Sequence, residues 1–413
     1  MARLFTARLS VVATLVLAAA VFGRAQGAAP PAAAEVHGTW TAELHGATTF
    51  LQLRTDDQTH GDWSNGQRVP TDQVNGLPVN DDRFTAASLK FELRREAGTL
   101  AFDGAFRDGR GAGLFTFTPR PDYVGEMKAL GYTDDLPIWR RYQLAVHDVG
   151  PRYIAALKAE GYDRLPLDEV ERAANHGVTI DYIRDLKALG YRAASMTSLV
   201  RTRDHGVTAD YIRALEGEGY SRLTLDELVR TRDHGVSAQY VAEMKRLGFK
   251  DLAIADLVRA RDHGVTPEYV NELKAQGLVV SGLDAYVRLR DHGVRAAFAS
   301  DMKQAGYANL GPEDLVRLRD HGVTGAYIHD IAALGYKNIP IDDVVRLRDH
   351  GVTADYVQDM KGLGIEGLTL EQIVRLRDHG ITPGFVNHVR ARGFKDTSAD
   401  DLVRLKNGGL WRR

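Results

Sequence analysis

Hydrophobic positions change their spacing partway along the chain, and the change divides it in two. Between Val36 and Phe117 they alternate with polar positions or run together briefly between turn residues, which is the period-two pattern of short strands. From about Pro119 they recur at helical spacing inside short segments, and the whole pattern returns every 29 residues. The period is plainest in His147, His176, His205, His234, His263, His292, His321, His350 and His379. The repeated unit reads Gly-Val-Thr-x-x-Tyr-Ile-x-x-Leu-Lys-x-Leu-Gly-Tyr, then a loop, then Leu-x-x-Asp-Leu-Val-Arg-x-Arg-Asp-His. Ten copies fit between about Pro119 and Gly409.

One copy shows how the unit is written. Thr208 is placed to cap a helix, Val207 and Ile212 form the apolar staple across its start, and Gly219 supplies the left-handed residue that ends it. Thr224 with Glu227 then spells a capping box, Leu223 and Leu228 repeat the staple, and Gly235 closes the second helix. Pro267 and Pro383 follow capping threonines, at the first helical position, where the missing N–H costs nothing. Each copy is therefore expected to be a helical hairpin. Acids in the first turn of the second helix and arginines in its last turns suit the dipole, and Asp342 with Arg346 and Glu371 with Arg375 have the spacing of ion pairs within one helix.

Helices of about ten residues are marginal alone in water, so the larger stabilisation has to come from burial against neighbours. Stacking Tyr211, Leu215, Leu225, Leu228 and Val229 on the equivalent positions of adjacent copies predicts an α-solenoid, roughly 90 Å long at about 9 Å per helix layer. In the first copy Trp139, Arg140 and Arg141 replace the acidic start of the second helix, and Thr133-Asp134-Asp135 holds an extra residue; that copy is expected to dock the β unit. In the last, Lys406-Asn407-Gly408-Gly409 replaces Arg-Asp-His-Gly, and Leu410 and Trp411 are placed to cover the exposed end.

In the N-terminal part, strands are expected at Thr39 to Leu44, Phe50 to Leu53, Leu89 to Leu93, Leu100 to Phe106 and Leu114 to Phe117. Glu96-Ala97-Gly98 and Asp108-Gly109-Arg110-Gly111 suit tight hairpins. The expected fold is multidomain α+β: a small antiparallel β barrel or sandwich over residues 35–118, followed by an α-helical repeat solenoid over 119–413. Gly38-Thr39-Trp40 is similar to the Gly-x-Trp that opens lipocalin barrels, though about 85 residues is short for eight strands around a cavity. Trp40 and Trp63 are read as filling a small core. Asp56, Asp57, His60 and Asp62 are read as a solvated loop, with a metal site as the competing possibility.

Arg3 and Arg8 precede an apolar run from Val11 to Phe22, and Gly23, Arg24 and Ala25 give a small-residue cleavage pattern. Residues 1–25 are thus expected to be a signal peptide, since about 12 apolar residues fall short of the roughly 20 that cross a bilayer. Residues 26–34, rich in alanine and proline, make an extended linker. Periplasmic or secreted placement follows, with no integral membrane segment after cleavage. The formal charge is −2. Removing residues 1–25, with three arginines and no acid, takes it to −5. Neither value suggests nucleic acid as a partner. Without a single cysteine there is no disulfide, thiolate site, cysteine nucleophile or lipidated N-terminal cysteine.

The histidine ladder invites a metal or a pH sensor. Yet each histidine stands just before the closing glycine of a helix, where it can serve open carbonyls, and copies 9 to 10 Å apart cannot share an ion whose ligand bonds are near 2 Å. His205, His234, His263, His292, His321 and His350, with Gly206, Gly235, Gly264, Gly293, Gly322 and Gly351 and with Thr208 and Tyr211, are therefore read as structural. The arginine pairs Arg230 and Arg232, Arg259 and Arg261, Arg288 and Arg290, Arg317 and Arg319, and Arg346 and Arg348 would form two rows able to hold an acidic ligand or a peptide carboxylate. Asp233 and Asp320 interleave with them and favour an internal Arg-Asp lattice. The tyrosine rows, Tyr211 to Tyr356 and Tyr191 to Tyr336, have the spacing of core residues.

The Arg-Asp-His-Gly-Val-Thr-x-x-Tyr unit resembles repeats of unassigned function in exported bacterial proteins and in the C-terminal tails of transmembrane antirepressor metallopeptidases of the β-lactam-sensor type. Phe91 to Phe102, with Leu93, Arg94, Arg95, Glu96, Ala97, Gly98, Thr99 and Leu100 inside it, looks like the β unit that precedes such repeats. So does Phe106 through Asp108, Gly109, Gly111 and Gly113 to Phe117. The resemblance spans residues 36 to 409. Those peptidases carry His-Glu-x-x-His and several membrane spans; this chain has neither, so their activity does not transfer. No nucleophile elbow or phosphate-cradling glycine loop is written either, and no cofactor is expected. The sequence points to a non-catalytic scaffold for a protein or peptide, with a small-molecule or cell-wall-fragment sensor in the β unit as the alternative and an enzyme as a third.

Overall fold

A computed structural model describes residues 35–57, 61–365 and 367–409. The expected signal peptide and linker, His60, and the end-covering Leu410 and Trp411 lie outside the described residues. The chain divides into two compact units, Met1–Ala155 and Ala156–Arg413.

In the first unit, β1 (Val36–His45), β2 (Thr48–Asp57), β3 (Gly61–Pro70), the two-residue β4 (Val74–Asn75), β5 (Ala86–Arg95), β6 (Gly98–Arg107) and β7 (Arg110–Pro119) form one antiparallel sheet. Its order is β3-β2-β1-β7-β6-β5-β4, an open half-barrel with β3 and β4 at the edges. The β6–β7 hairpin turns on Asp108 and Gly109, both at positive φ (50° and 76°), the pair of left-handed residues that matches a two-residue turn to strand twist.

Inward positions carry the aromatic core. Trp40 is 1% exposed, with its ring centre 4.9 Å from that of Phe91 and 5.5 Å from that of Phe106. Its Nε1 donates to the Leu114 carbonyl at 3.0 Å, so its one polar atom is satisfied. The indole lies over Gly104, where any side chain would strike both the ring and the Ala112 carbonyl. The space behind Trp40 is thus filled by rings.

Three expectations change here. Six of the strands are ten residues long, and β3 and the two-residue β4 add to the five expected. In β3 the inward positions are Trp63, Asn65, Gln67 and Val69, so the alternation is present but half of it is polar. Trp63 does not share the Trp40 core: it packs on helix α2 (Ile138–Val146), 5.3 Å from Tyr142 and 6.0 Å from Trp139. The expected acidic loop is instead part of a hairpin, with Asp56 and Asp57 ending β2, Asp56 opposite Asp62, and Arg54 paired to Asp62 at 3.1 Å.

The first helical hairpin, α1 (Tyr123–Ala129) and α2, belongs to this unit. Helix α2 contacts β1, β6 and β7, and Tyr142, fully buried, stacks 5.7 Å from Phe115. His147, the first rung of the ladder, approaches Asn65 of β3 at 3.1 Å.

The remaining hairpins follow in order. They are α3 (Pro151–Ala159) with α4 (Leu167–Asn175), α5 (Ile180–Ala188) with α6 (Met196–Asp204), α7 (Ala209–Gly217) with α8 (Leu225–Asp233), and α9 (Ala238–Arg246) with α10 (Ile254–Asp262). Next come α11 (Pro267–Ala275) with α12 (Leu283–Asp291), α13 (Ala296–Gln304) with α14 (Pro312–Asp320), and α15 (Gly325–Ala333) with α16 (Ile341–Asp349). Last are α17 (Ala354–Gly362) with α18 (Leu370–Asp378) and α19 (Pro383–Ala391) with α20 (Ala399–Asn407). Numbered by hairpin, these are copies 2 to 10.

Within the second unit first helices stack on first helices from α5 to α19, and second on second from α4 to α20. This is the α-solenoid arrangement the period predicts. The local signals act as written: Thr208 accepts from the Tyr211 N–H, and Thr224 with Glu227 closes a capping box. Gly235, at φ 69°, ends the second helix. Leu215, Leu228 and Val229 are buried at 0 to 2% exposure, each side chain contributing about 1.5 to 3 kcal/mol of transfer free energy.

Candidate functional site

Two faces of the repeat stack carry chemistry, and they differ in how much of it is already engaged. On the second-helix face the ladder histidines occupy the C-cap position. Each Nδ1 meets the carboxylate of the Asp that precedes the next copy's histidine: His176 with Asp204 at 2.6 Å, His205 with Asp233 at 2.7 Å, His292 with Asp320 at 2.8 Å. His234, His263, His321 and His350 repeat the pairing with Asp262, Asp291, Asp349 and Asp378, and His379 ends it on Asn407 at 3.2 Å. Among the described residues no group of three or more His, Asp and Glu is arranged to hold a metal ion.

The two arginine rows do not form the lattice with the Asp233 row that their interleaving suggested, because the histidines take those carboxylates. The first row reaches forward one copy, to the first turn of the next second helix: Arg201 to Asp226 at 2.5 Å, Arg288 to Glu313 at 2.9 Å, Arg375 to Asp400 at 2.6 Å, with Arg259 to Asp284 and Arg317 to Asp342 alike. The expected pairs inside one helix, Asp342 with Arg346 and Glu371 with Arg375, are therefore corrected: Asp342 is held by Arg317, and Arg375 turns to Asp400. A neighbour one helix layer away competes well when the arginine has five donors on a long stem. Arg230 faces a copy that carries Ala255 in place of the acid, and neither it nor Arg346 has an ion pair among the described residues.

The second row lies over aromatic rings of its own copy's first helix. Arg232 sits 5.0 Å from the Tyr211 ring centre, Arg290 4.8 Å from Tyr269, Arg319 5.3 Å from Phe298, with Arg261 over Tyr240 and Arg348 over Tyr327. Arg348 Nε also donates to the Gly322 carbonyl at 3.0 Å. The tyrosines are buried, and their hydroxyls bond the loop of the next copy, as Tyr211 does to the Val236 carbonyl at 2.8 Å. Burial pushes the phenols of Tyr211, Tyr240, Tyr269, Tyr327 and Tyr356 up to about 12.

A lysine row, written in the repeat but not singled out from the sequence, ties the first helices together. Lys274 donates to the Leu247 carbonyl at 2.7 Å while lying over the Phe249 ring, and Lys187, Lys245 and Lys361 bond Glu160, Glu218 and Leu334 in the same way.

The outward side of the first helices is different. Its composition changes from copy to copy, through Arg213, Ala242, Asn271, His329 and Gln358 at one position. Beside it Glu272, Asp301, Asp330 and Asp359 are exposed, and none has an ion-pair partner among the described residues. No protein-family model, curated protein or solved structure matches this chain.

Proposed function

We propose that the protein is an exported, non-catalytic interaction scaffold that binds a protein or peptide through the outward face of its first helices. The observation that carries this reading is the contrast between the faces. On the second-helix face arginine, aspartate and histidine recur in nearly every copy and spend their bonds within the stack. On the first-helix face side chains vary between copies; Arg184 and Arg213 pair with Glu160, Asp185 and Asp210 near the start of the stack, while Glu272, Asp301, Asp330 and Asp359 further along have no ion-pair partner among the described residues. Binding specificity draws on such variation, and a lattice already paired within the stack offers less of it. Export rests on the arginines and apolar run of residues 1–25, and the likeness of the repeats to those of exported bacterial proteins supports it.

The test is affinity capture from a periplasmic or secreted fraction with three chains: the unaltered protein, a double variant Asp330→Lys with Asp359→Lys on the first-helix face, and Arg317→Ala on the second-helix face. A partner retained by the first and third and lost by the second supports the scaffold. No reproducible partner, or loss that follows Arg317→Ala instead, would overturn it.

A further inference from the structure

Three copies carry another residue where the lysine row runs, Glu216, Ala332 and Arg390, and beside the small Ala332 the place a lysine would fill is open. In copies 3, 5, 6 and 9 the lysine stem crosses an aromatic ring of the preceding copy: Lys187 on Tyr162 at 5.6 Å, Lys245 on Tyr220 at 5.9 Å, Lys274 on Phe249 at 5.7 Å, Lys361 on Tyr336 at 5.6 Å. The ammonium meets a carbonyl at the C-terminal end of the preceding first helix, where the dipole favours a cation. In copy 8 this position is Ala332.

Both halves of the receptor remain. Tyr307 stands where Tyr162 and Tyr220 stand, its hydroxyl bonded to the Ile339 carbonyl at 2.6 Å. The Ala305 carbonyl, equivalent to that of Glu160, accepts no hydrogen bond from the described residues. Between α13 and α15 they border a groove of about 370 Å³, whose walls include Ile328, His329 and Ala332. Lys337 lines its loop side, against two exposed and unpaired acids on the same pair of helices, Asp301 and Asp330.

We propose that this groove receives a lysine side chain in trans, so that the scaffold's partner is a basic segment that places one lysine between copies 7 and 8. The guest would repeat what the chain does to itself four times: stem on the Tyr307 ring, ammonium on the Ala305 carbonyl, and the unpaired acids supplying charge complementarity. Arginine fits less well, because one carbonyl offers no bidentate match to its planar fork. This rests on the scaffold reading and names the chemistry of its partner.

The probe is acetyl-Gly-Lys-Gly-amide, with its norleucine counterpart, titrated into the full chain carrying ¹³C-methyl alanine and followed at Ala305 and Ala332. The lysine peptide should shift those signals and the norleucine peptide should not. In Ala332→Lys the chain's own lysine fills the groove, so binding should weaken by about tenfold or more and the melting temperature should rise. If Ala332→Lys fails to fold, Ala332→Met, which plugs the groove without a charge, should weaken binding in the same way, followed at Ala305. Equal shifts with both peptides, or unchanged lysine binding when the groove is plugged, would overturn the proposal, the second by assigning the cation to the surface acids. No natural partner is needed, so a groove that refuses the peptide leaves the capture experiment standing, and a failed capture leaves the titration standing.

Discussion

The Nδ1 atom of His205 lies 2.7 Å from Oδ1 of Asp233, one copy further along the chain. Because Asp233 is followed by His234, which bonds Asp262 in turn, each Asp-His pair accepts from the copy behind and offers its ring to the copy ahead. The ladder is thus a directional joint between hairpins, half exposed to water.

An exposed joint of this kind adds little individually. Asp233→Ala should cost roughly 0.5 to 1 kcal/mol, while Asp233→Asn should cost less because Asn407 already serves His379 in the last copy. Urea unfolding of the two variants checks the order; a loss of several kcal/mol would mean the pair is far more than a surface joint.

The buried hydroxyls are worth more. Tyr211→Phe leaves the Val236 carbonyl without its 2.8 Å donor and should cost about 1 to 2 kcal/mol. The reverse change, Phe298→Tyr, should be neutral or stabilising, since Val323 stands where Val236 does. Thermal melts of both chains test this.

The tyrosine row also sets an alkaline limit. Tyr211, Tyr240, Tyr269, Tyr327 and Tyr356 are pushed up to about 12 by burial, from an ordinary value of 10. A raised phenol favours the neutral form in the folded state. Its stabilisation is complete below pH 10 and is lost as pH rises toward 12. Tyrosinate absorbance near 295 nm should therefore lag behind that of free tyrosine and then rise together with loss of helical circular dichroism.

Acid acts through other groups. Arg184 and then Lys187 hold Glu160 below its ordinary 4.5, the Thr224 backbone N–H and hydroxyl lower Glu227, and the Ser398 hydroxyl and N–H lower Asp401. Carboxylates lowered by folding stabilise it fully above their unfolded values and lose that effect as pH falls through the folded ones. Helical signal should hold down to about pH 4.5 and decline below it; Glu227→Gln, which keeps a capping side chain without the charge, should decline less steeply.

Much of this architecture is legible in the residues. The 29-residue period, the caps at Thr208 and Thr224 and the closing glycines specify the hairpin because each acts within a few residues of itself. What crosses from one copy to the next is harder to read. Asp342 has an arginine four residues on and another 25 residues back, and only the stacking geometry chooses Arg317. The same holds for Asp233, claimed by His205 and not by an arginine. Strand β3 was hidden because Asn65 and Gln67 occupy its inward positions, and amides there do not announce a strand. The groove at Ala332 could have been found by asking which copy replaces the row's lysine with a small side chain, but its meaning depends on knowing what that lysine touches.

The central claim is that hairpins too weak to fold alone hold one another up. Deleting whole copies in register from the full chain, first 264–292 and then 264–321, and following urea unfolding by circular dichroism tests it most directly, beside a peptide of residues 206–234. The account predicts a transition midpoint for the repeats that falls with each copy removed, and a peptide with little helix. A peptide as helical as the intact chain, with a midpoint indifferent to the number of copies, would contradict it.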